Sequence, residues 1–446
     1  MKLLHANDAR ARHAPSWYAA GGRWAARAPL ERHVEADVCV VGGGYTGLAA
    51  ARELAARGRT VVVLEAHRVG WGASGRNGGQ LGSGYNADQE TLERRLGLAR
   101  AHALWQLAEA AKREVRALDG LDGLDLQYRP GIVLAAHRPR EVAPLHRRAE
   151  HLARAYGHDA LEPLDRDAIR ALVASEDYHG GVLDRGAGHL HPLRLAAALA
   201  VAAERAGAVL HEGSEVLRIE GADGARLRAP APRGTPDGRP RLVTASGSVR
   251  AERVVLAANG YLDGLVGGIG AHVMPINNFI LVTERLGARA RALLPGNHAV
   301  ADTRFVVNYF RRTPDDRLLF GGGENYGYRF PEDMARRTRR AMLGVFPDLA
   351  DARVEHAWGG TLAITRSRLP HVRRLSPRLI VAGGYSGHGV GLAVAAGQAV
   401  GAALDGDEER LALLEALPTG RFPGGVRARP LLLALAMRGA RWLDRL

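Results

Sequence analysis

The sequence predicts an α/β chain. A domain on a parallel sheet is interleaved with an α+β domain that carries a mixed or antiparallel sheet. Three observations predict it. An apolar run at 38–41 leads into Gly42-x-Gly44-x-x-Gly47, then a small-residue helix over 48–57, a turn at Gly58 and a second apolar strand from 61 that ends on Glu65. Strand, glycine turn and small-residue helix recur near the other end, at 379–398. The intervening chain carries different patterns, among them helical spacing over 91–118 and a hairpin signal around 311–317.

Each part of the first unit has a mechanical reason. Gly42 allows the tight turn out of the strand. Gly44 has no side chain, so a pyrophosphate can lie against the backbone. Gly47 lets the helix pack close to the sheet, whose N-terminus offers free N–H groups and a positive dipole end. Tyr45 and Thr46 lie inside this turn. Glu65 stands 65 − 47 = 18 positions past the last glycine, where a carboxylate accepts hydrogen bonds from ribose hydroxyls, and Ala66 follows it. The reading is a Rossmann-like site for an adenine dinucleotide.

The connection at 66–80 decides which one. It is long and glycine-rich, with Ser74, Arg76, Asn77, Gly78, Gly79 and Gln80 in sequence. A nicotinamide enzyme has no need of it, whereas a flat flavin ring needs backbone that can run alongside, which glycine permits. The run Gly70-Trp-Gly-Ala-Ser-Gly-Arg-Asn-Gly-Gly-Gln80 resembles the D-amino-acid-oxidase superfamily of FAD-dependent oxidoreductases, most closely its γ-glutamylputrescine oxidoreductase branch.

The resemblance extends over nearly the whole chain. His13-Ala-Pro-Ser-Trp-Tyr-Ala19 is similar to the branch's lead segment, and 253–261 to the strand that closes over the cofactor. The resemblance adds Val216 and Ala258 to the cofactor-binding set. It also implies that the C-terminal turn, with Gly384, Ser386, Gly387, His388, Gly389 and Val390, supports the flavin end. That helix start can face the anionic part of a flavin. Gly391, Ala395 and Gly397 would let the helix sit close to its neighbours.

The resemblance implies FAD-dependent oxidation of a small amine or amino acid, such as γ-glutamylputrescine, to an imine that hydrolyses to an aldehyde or keto product. A flavin carries the redox step, so neither a catalytic triad nor a metal set is required. His388 is the candidate catalytic residue. Tyr261, Asn278, Trp358 and Tyr385 are the candidate substrate residues. Oxygen or another acceptor takes the electrons. Relatives that use oxygen place a lysine near the flavin; here Lys112 is expected in a peripheral helix, which predicts slow oxygen turnover. An NAD(P)-dependent dehydrogenase and a flavoprotein acting on modified nucleic acid are the alternatives.

Composition sets further bounds. At 446 residues and 46% hydrophobic, the chain is long for one domain. The order of signals assigns 1–95, 185–270 and 355–446 to the FAD-binding domain and 96–184 and 271–354 to the substrate domain. Cys39 is the only cysteine, so no internal disulfide is possible and FAD is expected to be non-covalent. The net charge is +14, carried almost wholly by arginine. The arginine pairs at 336–340 and 373–374 have no aromatic partners between them, so nucleic acid is not expected. Positive potential would instead draw in a carboxylate-bearing substrate. His189 and His191 lack a third ligand, so no metal is expected. No signal peptide or membrane span is read, which places the protein in the cytoplasm. The basic, apolar segment 430–446 is read as a docked helix, with peripheral membrane contact as its alternative.

Overall fold

The structure is a computed structural model that describes residues 2–7, 10–22, 24–221, 238–262 and 265–423. The segment 430–446 lies outside the described residues.

Two sheets organise the chain. In the first, strand His33–Val41 lies centrally, paired in parallel with Val61–Leu64 on one side and Ser248–Leu256 on the other. Val209–His211 extends one edge, and Leu379–Gly383 with antiparallel His371–Ser376 extends the other. The inner strands read as unbroken apolar runs because both faces are covered. Val38, Val40, Val61 and Val63 pack with Leu48, Leu54 and Leu199 of the helices. Cys39, Val41, Val62 and Leu64 face the opposite cluster with Leu256, Leu262 and Leu379. Cys39 is thus a small buried hydrophobe.

Two helices lie together against this sheet. Tyr45–Ala56 starts three residues earlier than expected, with Gly44 as its extended N-cap. Gly389–Leu404 packs on it through glycine. A Cβ on Gly397 would stand 2.3 Å from the Thr46 carbonyl oxygen, and one on Gly401 2.8 Å from Glu53 Cβ. Glycine at these positions lets the two backbones meet.

The second sheet is mostly antiparallel, and its long pair is Met274–Thr283 with Val354–Ile364. Helix Met334–Val345 covers one face, where Met342 and Val345 pack with Leu281, Phe310 and Phe320. The other face, with Ile280, Val282, Leu319 and Trp358, packs on Tyr18 and Leu193. Strands Gly181–His189 and Val354–Ile364 both belong to this sheet. Their pairing places 185–189 and 355–364 in the second sheet, so both strands cross the expected boundaries at 184/185 and 354/355.

Several expected elements are divided. The pattern at 91–118 is two helices, Gln89–Leu96 and Leu98–Ala117, separated by Gly97 at φ 82°. Gly213, at φ 62°, separates strands Val209–His211 and Arg218–Glu220. The hairpin pairs Tyr309–Arg312 with Leu318–Asn325, while Phe305 lies outside the strand. Lys112 requires a correction. It is 2% exposed, not peripheral. Its Nζ donates to Ser83 Oγ at 2.6 Å and the Gly186 carbonyl at 3.0 Å, and pairs with Glu109 at 2.8 Å.

Candidate active site

The strand tips of the first sheet open a cleft of about 950 Å³, counted with its mouth, a size typical of ligand sites. Gly42, Gly44, Glu65, Ala66, Ser74, Val216, Ala258 and Tyr261 all line it. Gly42 adopts φ 112°, and a Cβ there would meet the Ala257 carbonyl oxygen at 2.9 Å. Gly47 is tighter still, with a Cβ only 2.0 Å from the Gly42 carbonyl oxygen. Gly44 differs. Its nearest neighbour is Ser74 Oγ, which also accepts from the Tyr45 N–H at 3.1 Å. A bare backbone, an open helix start and a hydroxyl therefore meet at one point, a cradle suited to a pyrophosphate.

Glu65 lines the same cleft. Its Oε2 accepts from Gly43 N–H at 2.7 Å and Oε1 from His67 N–H at 2.9 Å. Burial pushes its pKa up to about 7, against those two hydrogen bonds. The N-terminal segment crosses here, a feature with no local signature in the sequence. Lys2 and His5 both bind Glu215, at 2.9 and 2.8 Å, and His67 Nε2 donates to the Leu4 carbonyl at 3.2 Å.

The loop at 70–80 joins the two sheets. Arg76 Nε donates to the Trp71 carbonyl at 2.6 Å and a terminal nitrogen to the Gly359 carbonyl at 3.0 Å, with the guanidinium 4.5 Å over the Trp71 ring. Trp358 Nε1 returns a bond to the Arg76 carbonyl at 3.0 Å. Asn77 Nδ2 donates to the carbonyls of Ala73 and Ser74, and its Oδ1 accepts from Gly79 N–H. Gln80 Nε2 donates to the Val300 carbonyl at 2.9 Å. Gly79, at φ 78°, runs against Leu190, and Gly78 lies under the Tyr309 ring. Arg76, Asn77 and Gln80 thus fix the loop's path, and its glycines provide the close approach.

The C-terminal turn reaches the same place. Tyr385 Oη and Thr46 Oγ1 are 2.6 Å apart. Asn259, at φ 48°, accepts from Gly384 N–H at 2.9 Å through Oδ1. Ser386 Oγ accepts from Thr365 N–H at 3.1 Å. Gly389 and Val390 open the helix, with His388 as its N-cap residue. The His388 ring lies against Gly82. Burial, with the charges of Arg148 and Lys112, pushes its pKa down to about 4, so it is neutral at physiological pH. Its Nε2 has no hydrogen-bond partner among the described residues.

The second sheet faces this assembly with a polar pair. Tyr309 Oη donates to Asn278 Oδ1 at 2.6 Å, and Asn278 Nδ2 donates to the Gly323 carbonyl at 2.9 Å. His189 and His191 are engaged elsewhere. His189 Nε2 donates to the Asn297 carbonyl, and His191 Nδ1 accepts from Arg194 N–H. No cluster of three metal-ligating residues occurs among the described residues.

Fold and cradle together define an FAD-dependent oxidoreductase. The "FAD dependent oxidoreductase" (DAO) family model matches residues 37–403. The chain belongs to that family, which excludes the nicotinamide alternative. It is 40% identical to the "Probable oxidoreductase OrdL" of Rhizobium meliloti (strain 1021), over 90% of this chain and 91% of that protein. It is 39% identical to the "Gamma-glutamylputrescine oxidoreductase" of Escherichia coli (strain K12), over 93% and 94%. Among solved structures, glycine oxidase from Geobacillus kaustophilus superposes with a TM-score of 0.65 at 25% identity, covering 87% of this chain and 97% of that one.

Proposed function

We propose that the protein oxidises a small amine of the γ-glutamylputrescine kind to an imine, which water hydrolyses to an aldehyde or keto product. The observation that carries this reading is the end-to-end similarity to γ-glutamylputrescine oxidoreductase. The polar pair Asn278–Tyr309, set against Gly78, supports it as a place for a substrate nitrogen.

Bound FAD supplies a two-electron acceptor for the hydrogen on the carbon bearing nitrogen. Around it, Gly42, Gly44, Tyr45, Thr46, Gly47 and Ser74 hold the pyrophosphate side, and Glu65, Ala66, Val216 and Ala258 hold the adenosine side. Gly78, Gly79 and the turn 384–390 would hold the flavin end. A neutral His388 Nε2 can accept a hydrogen bond from the substrate nitrogen. Tyr261 lines the cleft, while Trp358 and Tyr385 are buried outside its lining and hold the Arg76 carbonyl and the Thr46 hydroxyl. Oxygen or another acceptor takes the electrons. The cytoplasm is the proposed location; no helix among the described residues is long and apolar enough to cross a membrane.

The test is an anaerobic panel of amines and amino acids added to the yellow protein. γ-Glutamylputrescine should bleach the flavin at lower concentration than glycine does. Bleaching by glycine alone would place the activity on the glycine-oxidase side of the family.

A further inference from the structure

One tier of the second sheet is polar where its neighbours are apolar. Met274, Ile276, Ile280 and Val282 alternate along their strand and pack toward the cofactor side or its rim. Asn278 belongs to the same alternating set and breaks the pattern. Glu324 stands directly opposite Asn278 on the neighbouring antiparallel strand, so the two share a face. Tyr326, two residues on, packs with Met274 and Ile276, which fixes that face. Its hydroxyl donates to Glu324 Oε2 at 2.6 Å. Burial raises the Glu324 pKa, and the charge of Arg368 acts the other way.

Arg368 follows strand Val354–Ile364 of the same sheet, near enough to Glu324 for its charge to act on the carboxyl. Its N–H donates to the Thr365 carbonyl at 3.2 Å, and Thr365 in turn holds Ser386 of the C-terminal turn. Arg368 has φ 63°, a left-handed backbone that a side-chain-bearing residue rarely adopts. Its guanidinium lies 5.7 Å over the ring of Phe305, which is 45% exposed. It has no ion-pair partner among the described residues, whereas Arg304 and Arg317 each pair with two carboxylates. A strained arginine, seated on an exposed aromatic ring and facing a half-buried acid, is arranged for a ligand rather than for packing.

We propose that Glu324 and Arg368 form a two-point substrate site at the mouth above the flavin. Glu324, backed by Tyr326 and beside Asn278, takes the ammonium end. Arg368 takes a carboxylate at the far end. The substrate class is an amine with a distal carboxylate. This inference rests on the amine-oxidation reading above and deepens it.

The experiment compares two substrates by anaerobic flavin bleaching. γ-Glutamylputrescine carries the carboxylate; butane-1,4-diamine does not. Arg368→Gly is the main variant, because glycine relaxes the left-handed backbone while deleting the guanidinium. It should raise the half-saturating concentration of γ-glutamylputrescine by about ten- to a hundredfold, the range for a charge-assisted hydrogen bond, and leave the diamine within about twofold. Arg368→Lys should recover part of the loss. Glu324→Gln should weaken both substrates about tenfold with FAD content unchanged. Equal effects of Arg368→Gly on both substrates, or none on either, would overturn the site, as would a Glu324→Gln enzyme that saturates normally. A wild-type flavin that dithionite bleaches but no amine does would instead sink the amine reading, and this site with it.

Discussion

The hydroxyls of Thr46 and Tyr385 lie 2.6 Å apart across 339 residues of chain. One belongs to the first helix of the dinucleotide unit, the other to the turn that starts the last nucleotide-side helix. The bond therefore joins the first glycine turn to the C-terminal one, which the proposed reading gives to the pyrophosphate and the flavin. Tyr385→Phe should cost about 1 kcal/mol of stability and weaken FAD several-fold, with a normal flavin spectrum. Thermal melts and FAD titration of the stripped protein would check it. An unchanged FAD affinity would show that the bond is incidental.

The glycines of the first turn should separate by mechanism. At Gly47 an added methyl meets backbone at 2.0 Å, and neither side can yield. Gly47→Ala should cost about 3 kcal/mol or more. At Gly44 the added methyl meets only the rotatable Ser74 hydroxyl. Gly44→Ala should fold and melt nearly as wild type, yet purify colourless. Denaturant curves and the flavin-to-protein absorbance ratio distinguish the two.

Glu65 gives a signed pH dependence. Its pKa rises from an ordinary 4.5 to about 7 in the folded, cofactor-free protein. Between those values the folded state holds more protons than the unfolded one, so this group's contribution falls as pH rises and is lowest above about 7. The melting temperature of wild type minus that of Glu65→Gln, both stripped of FAD, should therefore decline from pH 4.5 to 7. A flat difference would contradict the assignment.

Lys112 is held by three partners and so is not free to serve oxygen. Lys112→Met should cost about 3 kcal/mol, the penalty for breaking a buried ion pair. We expect slow reoxidation of the reduced enzyme by oxygen. Stopped-flow reoxidation near the diffusion limit would refute that expectation.

His388 should carry no titration near pH 6.5, because burial keeps its pKa at about 4. His388→Ala should retain FAD and slow flavin reduction by about a hundredfold. A rate equal to wild type would remove it from the chemistry.

The cofactor cradle was legible because its constraints are local. Gly42, Gly44, Gly47 and Glu65 each answer to a turn, a close approach or a strand end within thirty residues of chain. Glu324 was not legible, because its meaning depends on register. Only the pairing with Asn278, next to a bulge, shows which way it points. Arg368 likewise looks like one more surface arginine until its φ and its seat on Phe305 are seen. The Lys112 signal was present and misread. It lies four residues past Ala108 and three before Val115, on the same buried stripe.

The interleaving has a consequence for biosynthesis. Strand Leu379–Gly383 docks on Ser248–Leu256, and Gly397 presses on Thr46. A nascent chain still lacking that stretch has half a seat and an uncovered apolar helix. Loading of the prosthetic group must wait until residues 379–404 have emerged, and until then the apolar helix lacks its cover.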